Sequence, residues 1–313
     1  MEIGGWNIGP LFPMWLQTQK MITQVDISGG GIQVGNEDAP WLMYLGSNKF
    51  SGPLPLISTT VAELDLSNNS FSKGLSHFLC EAKNGSYKLE ILNLGGNYLS
   101  EEIPDCWMNW LGLTVLIMRD NNLIGGIPRS MKVLTDLRSL DFRRNRHNGP
   151  FSSSSENCTK LNKIDLAENG FVGQLPAWLG MRFPILIALI LRSNKFDGEF
   201  PQELCHLKDL QILDLANNTF GRIIPRCISN FSAMVKGKKV LDDDMYLYGY
   251  YYQTPERECS GMIPLSTQLQ SFDPMSLQGN KFYGLPLVVN CNLGGPVPNV
   301  EYDEDESDKN EVD

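Results

Sequence analysis

Histidine is scarce in this chain of 313 residues, with three in all, and no His and Cys cluster at metal-ligand spacing. A metal centre is therefore not expected, nor is any cofactor. G-x-S-x-G, H-E-x-x-H, P-loop and kinase-type motifs are all missing, so the chain reads as a non-enzyme. The run Gly29-Gly30-Gly31 is better taken as a degenerate turn than as a phosphate cradle. No apolar run approaches the roughly 18 residues of a membrane span. The most apolar stretch, Pro184 to Leu191, suits a strand. Polar residues and Gly follow Met1 where a signal peptide would have a basic and then an apolar region. Positive charge is not in excess either. The net charge is −10, and most of it comes from Glu301 to Asp313, which holds eight acidic residues and one Lys. That run reads as a disordered, solvated tail over 299–313. The remainder is close to neutral and gives no reason to expect nucleic acid.

What the chain does have is an asparagine that recurs in one frame, L-x-x-L-x-L-x-x-N-x-L/F. The clearest copies surround Asn97, Asn121, Asn194 and Asn218, and weaker ones surround Asn48, Asn69, Asn145 and Asn169. From Asn97 onward the step is about 24 residues, inside the leucine-rich-repeat range. Within each copy the alternation of apolar and polar residues is that of a strand with one buried face. Leu92 and Leu94, Leu116 and Met118, and Leu213 and Leu215 are expected to point inward. One repeat cannot bury its own apolar face, so the repeats must stack around a shared core. The Asn amide, both donor and acceptor, is expected to satisfy turn backbone that no neighbouring strand reaches. The fold class is an α/β leucine-rich-repeat solenoid with a curved parallel sheet on its concave face and loops or 3-10 turns on the convex side.

The second half of each repeat reads L-x-G-x-I-P, as in Leu123-Ile124-Gly125-Gly126-Ile127-Pro128. Gly permits a tight backbone and Pro has no N–H to give a ladder, so this half is extended or turned. It resembles the plant-specific class of leucine-rich repeats, which is extracellular. Lys73, Glu101 and Arg222 stand where the Gly is expected, and His147 replaces the apolar residue after Asn145. His147 is expected to be a partly solvated local defect.

Four of the seven cysteines follow the repeat. Cys80 and Cys205 lie eleven residues after a frame Asn, and Cys106 and Cys227 lie nine after. Each pair would sit side by side on adjacent repeats, as disulfides Cys80–Cys106 and Cys205–Cys227 or as buried free thiols. Spacing assigns no partner to Cys158, Cys259 or Cys291. Five N-x-S/T sequons begin at Asn68, Asn84, Asn157, Asn217 and Asn230. Together with possible disulfides they favour a glycosylated protein of the secretory pathway.

Several phrases resemble plant leucine-rich-repeat receptor-like proteins of the ethylene-inducing-xylanase-receptor type. They are Gly9 to Gln19 (GPLFPMWLQTQ), Pro104 to Trp110 (PDCWMNW), Leu191 to Phe196 (LRSNKF) and Ile263 to Phe272 (IPLSTQLQSF). The resemblance implies an ectodomain at the cell surface, on the extracellular side of the plasma membrane. It implies a microbial or endogenous protein or peptide ligand, in defence or developmental signalling, with receptor-kinase adaptor and co-receptor as signalling partners. The chain departs from that pattern: it starts in mid-repeat, and the repeats expected between Glu258 and Ser260 are absent. At the closing cap, Phe282-Tyr283-Gly284 replaces the usual Leu-Cys-Gly. The expected organisation is a solenoid over 1–227, an irregular Tyr-rich island over 228–258, a last repeat and cap over 259–298, and the acidic tail.

Two surfaces are candidates for recognition. On the concave face, Arg119, Arg143 and Arg192 share one repeat position, while Asp141 and Asp165 share the position two residues earlier. Arg119 and Arg143 on adjacent strands need a counter-charge. A ligand carboxylate could supply it, or Asp141 and Asp165 already do. The second candidate is the island with Tyr246, Tyr248, Tyr250, Tyr251 and Tyr252, or that cluster is a remnant. A secreted inhibitor of a pathogen cell-wall hydrolase, or a truncated copy without function, remain alternatives to the receptor reading.

Overall fold

The computed structural model describes residues 24–26, 41–81, 87–151, 156–223, 231, 233 and 281–283. Cys227, Cys259, Cys291, Asn84, Asn230, the tyrosine cluster and the acidic tail lie outside the described residues.

The period-2 segments form a nine-stranded parallel sheet in which spatial order follows sequence order. Its strands are Gln24–Asp26, Trp41–Tyr44, Val61–Asp65, Ile91–Asn93, Val115–Ile117, Ser139–Asp141, Lys163–Asp165, Ala188–Ile190 and Ile212–Asp214. Equivalent repeat positions face each other, as in the register Asp141↔Asp165. A second parallel sheet of seven strands, from Ser51–Gly52 to Lys195–Asp197, is made by the residues just after each frame Asn. Between the sheets, Leu92, Leu94, Leu116, Met118, Leu140, Phe142, Leu189, Leu191 and their equivalents form one continuous buried core. The solenoid architecture is thus established.

The asparagines do what their frame demands. In Asn121, Nδ2 donates to the carbonyls of Leu94 (3.0 Å), Met118 (3.1 Å) and Arg119 (3.0 Å). Its Oδ1 accepts from Leu99 N–H at 2.9 Å. Two of these four bonds go to the preceding repeat. The pattern repeats at Asn69, Asn97, Asn145, Asn169 and Asn194. At Asn218, Nδ2 donates to Leu191 O and Oδ1 accepts from Phe196 N–H.

Two residues past the ladder, aromatic rings stack from repeat to repeat. The centroids of Phe171 and Phe196 are 6.2 Å apart, as are those of Phe196 and Phe220. His147 occupies this row and lies 5.2 Å from Phe142 and 5.8 Å from Phe171, centroid to centroid. The expected partial solvation is wrong: its exposure is 0%. Every residue at this position points into the core, and a single polar side chain does not alter the direction of the pleat.

Where the Gly of the second half is present, at Gly52, Gly125, Gly149, Gly173 and Gly198, φ lies between 74° and 94°. Lys73 and Glu101 accept the same turn at φ 78° and 73°. Propagation of the stack overrides the preference of an L residue there. The convex side carries 3-10 segments at Trp107–Asn109, Arg129–Val133 and Gln202–His206. It also carries two short α-helices, Ser76–Cys80 and Trp178–Arg182, which the expected loops and 3-10 turns did not include. Gly180 lets the second helix approach its neighbour, since a Cβ there would lie 1.8 Å from Glu203 O.

Cys80 and Cys106 are joined by a disulfide, with Cα atoms 5.2 Å apart. Trp107 and Trp110 are fully buried beside it. Trp110 stacks on Phe78 and Tyr87 and donates Nε1–H to Leu79 O at 3.1 Å. The Pro104–Trp110 phrase is therefore a core plug attached to the disulfide. Cys205 is also disulfide-bonded. Cys158 is a buried free thiol whose pKa burial pushes up to about 12.

Candidate functional site

Of the five concave-face candidates, Asp141 and Asp165 end adjacent strands of the nine-stranded sheet, and Arg119, Arg143 and Arg192 lie two residues beyond the strand ends Ile117, Asp141 and Ile190. The strand residue at the end of each pleat is often Asp or Asn, and its side chain closes the turn. Asp65 Oδ1 accepts from Ser67 N–H, Asn93 from Gly95, Asp141 from Arg143, Asp165 from Ala167 and Asp214 from Ala216, at 2.8–3.2 Å. These are local turn bonds of the kind Asp and Asn favour. Asp141 and Asp165 thus have a structural duty, which their recurrence at one position signals in the sequence.

They are also buried. Asp141 and Asp165 are each 3% exposed, and Lys163, on the strand of Asp165, is 5% exposed. Lys163 Nζ lies 3.7 Å from Asp141 Oδ2. Burial, and after it the neighbouring Asp141 carboxylate, pushes the Asp165 pKa up to about 7. Lys163, the Ala167 N–H and Arg143 oppose that rise.

Arg143 feels the Asp165 carboxylate, one of the two expected sources of counter-charge, and a second carboxylate beside it. Arg143 binds Glu168 Oε1 through Nη2 (2.8 Å) and Nε (3.2 Å), and Arg144 Nε binds Oε2 of the same carboxylate at 2.9 Å. Arg144 also reaches Asp120 at 3.6 Å, and Arg119 lies 3.8 Å from Asp120. Arg192 Nε binds Asp214 Oδ2 at 2.7 Å. Burial disfavours the Glu168 charge, but the bonds from Arg144 and Arg143 outweigh it and hold its pKa below the usual value. Asp120, Arg144 and Glu168 all occupy the position just before the ladder Asn. Sequence reasoning passed over that column because it lies outside the period-2 strand. Its signal was its polarity on consecutive repeats.

Beside the arginines, Ala167, Ala188 and Ile190 form a small apolar cluster with Ile212 packed against it. The face therefore offers cations, a buried charged floor and an apolar patch within a few strand spacings. Among the described residues no group of His, Cys, Asp and Glu is arranged to hold a metal ion. Asn68, Asn157 and Asn217 are exposed, as attachment of a glycan requires.

Stacked parallel strands and a ladder of asparagines define the class, a leucine-rich-repeat solenoid. The Leucine Rich Repeat family pattern matches residues 60–82, 88–110 and 209–231. Receptor-like protein EIX2 of Solanum lycopersicum is 36% identical over 260 residues, which cover 73% of this chain and 25% of that protein. The ectodomain of the Arabidopsis thaliana receptor kinase GASSHO1/SCHENGEN3, solved with Casparian strip integrity factor 2, is 27% identical. It superimposes with a TM-score of 0.58 over 67% of this chain and 26% of that one. The Arabidopsis receptor kinase HAESA, solved with the peptide hormone IDA and the co-receptor SERK1, gives 26% identity and a TM-score of 0.50. Here 62% of this chain and 37% of that one are covered. The chain belongs with the plant leucine-rich-repeat receptor-like proteins, and it spans a quarter of the length of its tomato relative.

Proposed function

We propose that this chain is a non-catalytic extracellular recognition module at the plant cell surface, binding a protein or peptide ligand of microbial or endogenous origin on its concave face. The observation that carries the reading is the row Arg119, Arg143 and Arg192 beside the apolar cluster around Ile190. A peptide laid across the strands would set an aliphatic side chain on Ile212, the partly exposed member of that cluster. Its carboxylates would exchange with Glu168 or Asp214 as the arginine partners. Such exchange is feasible because these ion pairs are partly exposed and worth little individually. The solved ectodomains that bind a peptide hormone and a co-receptor support the ligand class and support a receptor kinase as the signalling partner.

The test uses the whole chain immobilised alongside an Arg119→Glu/Arg143→Glu/Arg192→Glu triple mutant of equal thermal stability. Both are exposed to a pool of plant and microbial extracellular peptides, and retained species are identified by mass spectrometry. Peptides retained by the wild type and lost from the triple mutant are expected. Identical sets of retained peptides on the two proteins, or none on either, would sink the concave-face reading.

A further inference from the structure

On the flank opposite the asparagine ladder lies a second built feature. An open cleft of about 500 Å³ is lined by Lys88, Glu90, Gly112, Thr114, Asp136, Arg138 and Lys160. Glu90, Thr114 and Arg138 precede three adjacent strands and are tied in sequence, Thr114 N–H to Glu90 O at 2.8 Å and Arg138 N–H to Thr114 O at 2.7 Å. The middle repeat contributes only Gly112 and Thr114, so the floor is low between charged side chains on both sides. Two strand spacings, about 10 Å, separate the backbone of Glu90 from that of Arg138. Lys160 and Asp136 bind each other across one rim. The Thr114 hydroxyl donates to the Glu90 carbonyl at 3.0 Å, while the charged groups of Lys88, Glu90 and Arg138 make no ion pair or hydrogen bond among the described residues.

We infer that this cleft is a binding site for an acidic sugar, a saccharide carrying an anionic group beside free hydroxyls. Its lining contains no apolar side chain. A hydrophobic ligand, or a peptide docking through an aromatic or aliphatic anchor, therefore finds only the carbon stems of lysine and arginine there and no pocket for an anchor. The mixed signs argue against a simple polyanion, because Glu90 and Asp136 would repel it. An acidic sugar meets both signs at once. Its anion accepts from the Arg138 guanidinium and the Lys88 ammonium, while neighbouring hydroxyls donate to the Glu90 carboxylate. Arg matches an oxyanion with two parallel N–H donors, and the hollow over Gly112 takes the ring. The site is separate from the concave face and stands or falls independently of the function proposed above.

Titration calorimetry of the whole chain with a glucuronic acid tetramer tests it. A glucose tetramer, a sulfated glucose tetramer and tetraglutamate serve as comparison ligands. Binding of the glucuronate or the sulfated tetramer, weakened by salt, is expected, with the stronger of the two naming the anion. Lys88→Ala/Arg138→Ala should weaken it about tenfold or more, and Glu90→Gln should weaken it less. Arg119→Ala/Arg143→Ala should leave it unchanged. All of these side chains are at least partly exposed, so unaltered melting curves will show that the mutants fold. Equal binding of tetraglutamate, equal binding by the Lys88/Arg138 double mutant, or no binding of either acidic tetramer would overturn the assignment.

Discussion

The ladder flank and the concave floor bury polar side chains to a similar degree and handle them in opposite ways. On the ladder flank, buried Asn97, Asn121, Asn145, Asn194 and Asn218 are neutral, identical and saturated by backbone groups. On the floor, Asp141, Lys163 and Asp165 are ionisable, not all alike, and confined to two adjacent strands. A neutral amide costs nothing once its donors and acceptor are met, so evolution can repeat it without limit. Buried charges must balance among themselves, and two carboxylates against one ammonium do so only partly. Uniformity belongs to the side that builds the fold, and local variety to the side proposed above to face a ligand.

Breaking the ladder should have the largest effect. Asn121→Leu leaves the Leu94 and Met118 carbonyls and the Leu99 N–H without their partner inside the core. At about 1–3 kcal/mol per orphaned group, a loss of about 4 kcal/mol is expected in urea denaturation. A loss below about 1 kcal/mol would mean water enters the ladder.

Breaking the floor should cost somewhat less. Lys163→Met removes the ammonium beside the two aspartates and should destabilise by about 3 kcal/mol at neutral pH. Adding Asp165→Asn should restore most of it, because one buried charge is then gone. The floor also has a pH signature of known sign. The folded pKa of Asp165 is raised, so the native state holds a proton that the unfolded chain releases. Stability therefore falls as pH rises between about 4 and 7. Asp165→Asn should remove that slope, and an unchanged slope in the mutant would assign it to other groups.

His147 sharpens the comparison, being a titratable group placed in the neutral half. Burial lowers its pKa to about 4, against hydrogen bonds to Gly125 and Ile124 backbone that raise it. The folded pKa is depressed, so the unfolded state binds the proton first and stability falls as pH drops from about 6.5 to 4. His147→Phe should gain about 2 kcal/mol at pH 5 relative to its effect at pH 8, read from paired denaturation curves. An equal effect at both values would show that the imidazole takes up its proton as readily in the folded state as in the unfolded one.

Much of the fold was legible because its cause is periodic. The frame around Asn121 specifies, on its own, an inward Leu116 and Met118, a turn and a bonded amide. The sites were less legible because they arise between repeats. Glu168 serves Arg143 and Arg144 from the following repeat, and no spacing within one repeat announces that. Asp141 looked solvent-facing by alternation, yet side chains on neighbouring parallel strands cover it. His147 misled in the other direction, since its polarity suggested water where the pleat allows none. Lys73 and Glu101 likewise break the Gly rule in sequence and obey it in conformation.

The parallel pairing of Gly221–Ile223 with Lys281–Tyr283 carries a further consequence. The two strands meet as consecutive turns of a coil would, although they are far apart along the chain. Closing a loop grows costlier only as the logarithm of its length, about 0.6 kcal/mol for each doubling. The seam between these strands is thus a place where inserted chain of almost any length can be accommodated at nearly constant cost. It would let new sequence be tried at the end of the coil without disturbing the turns already built.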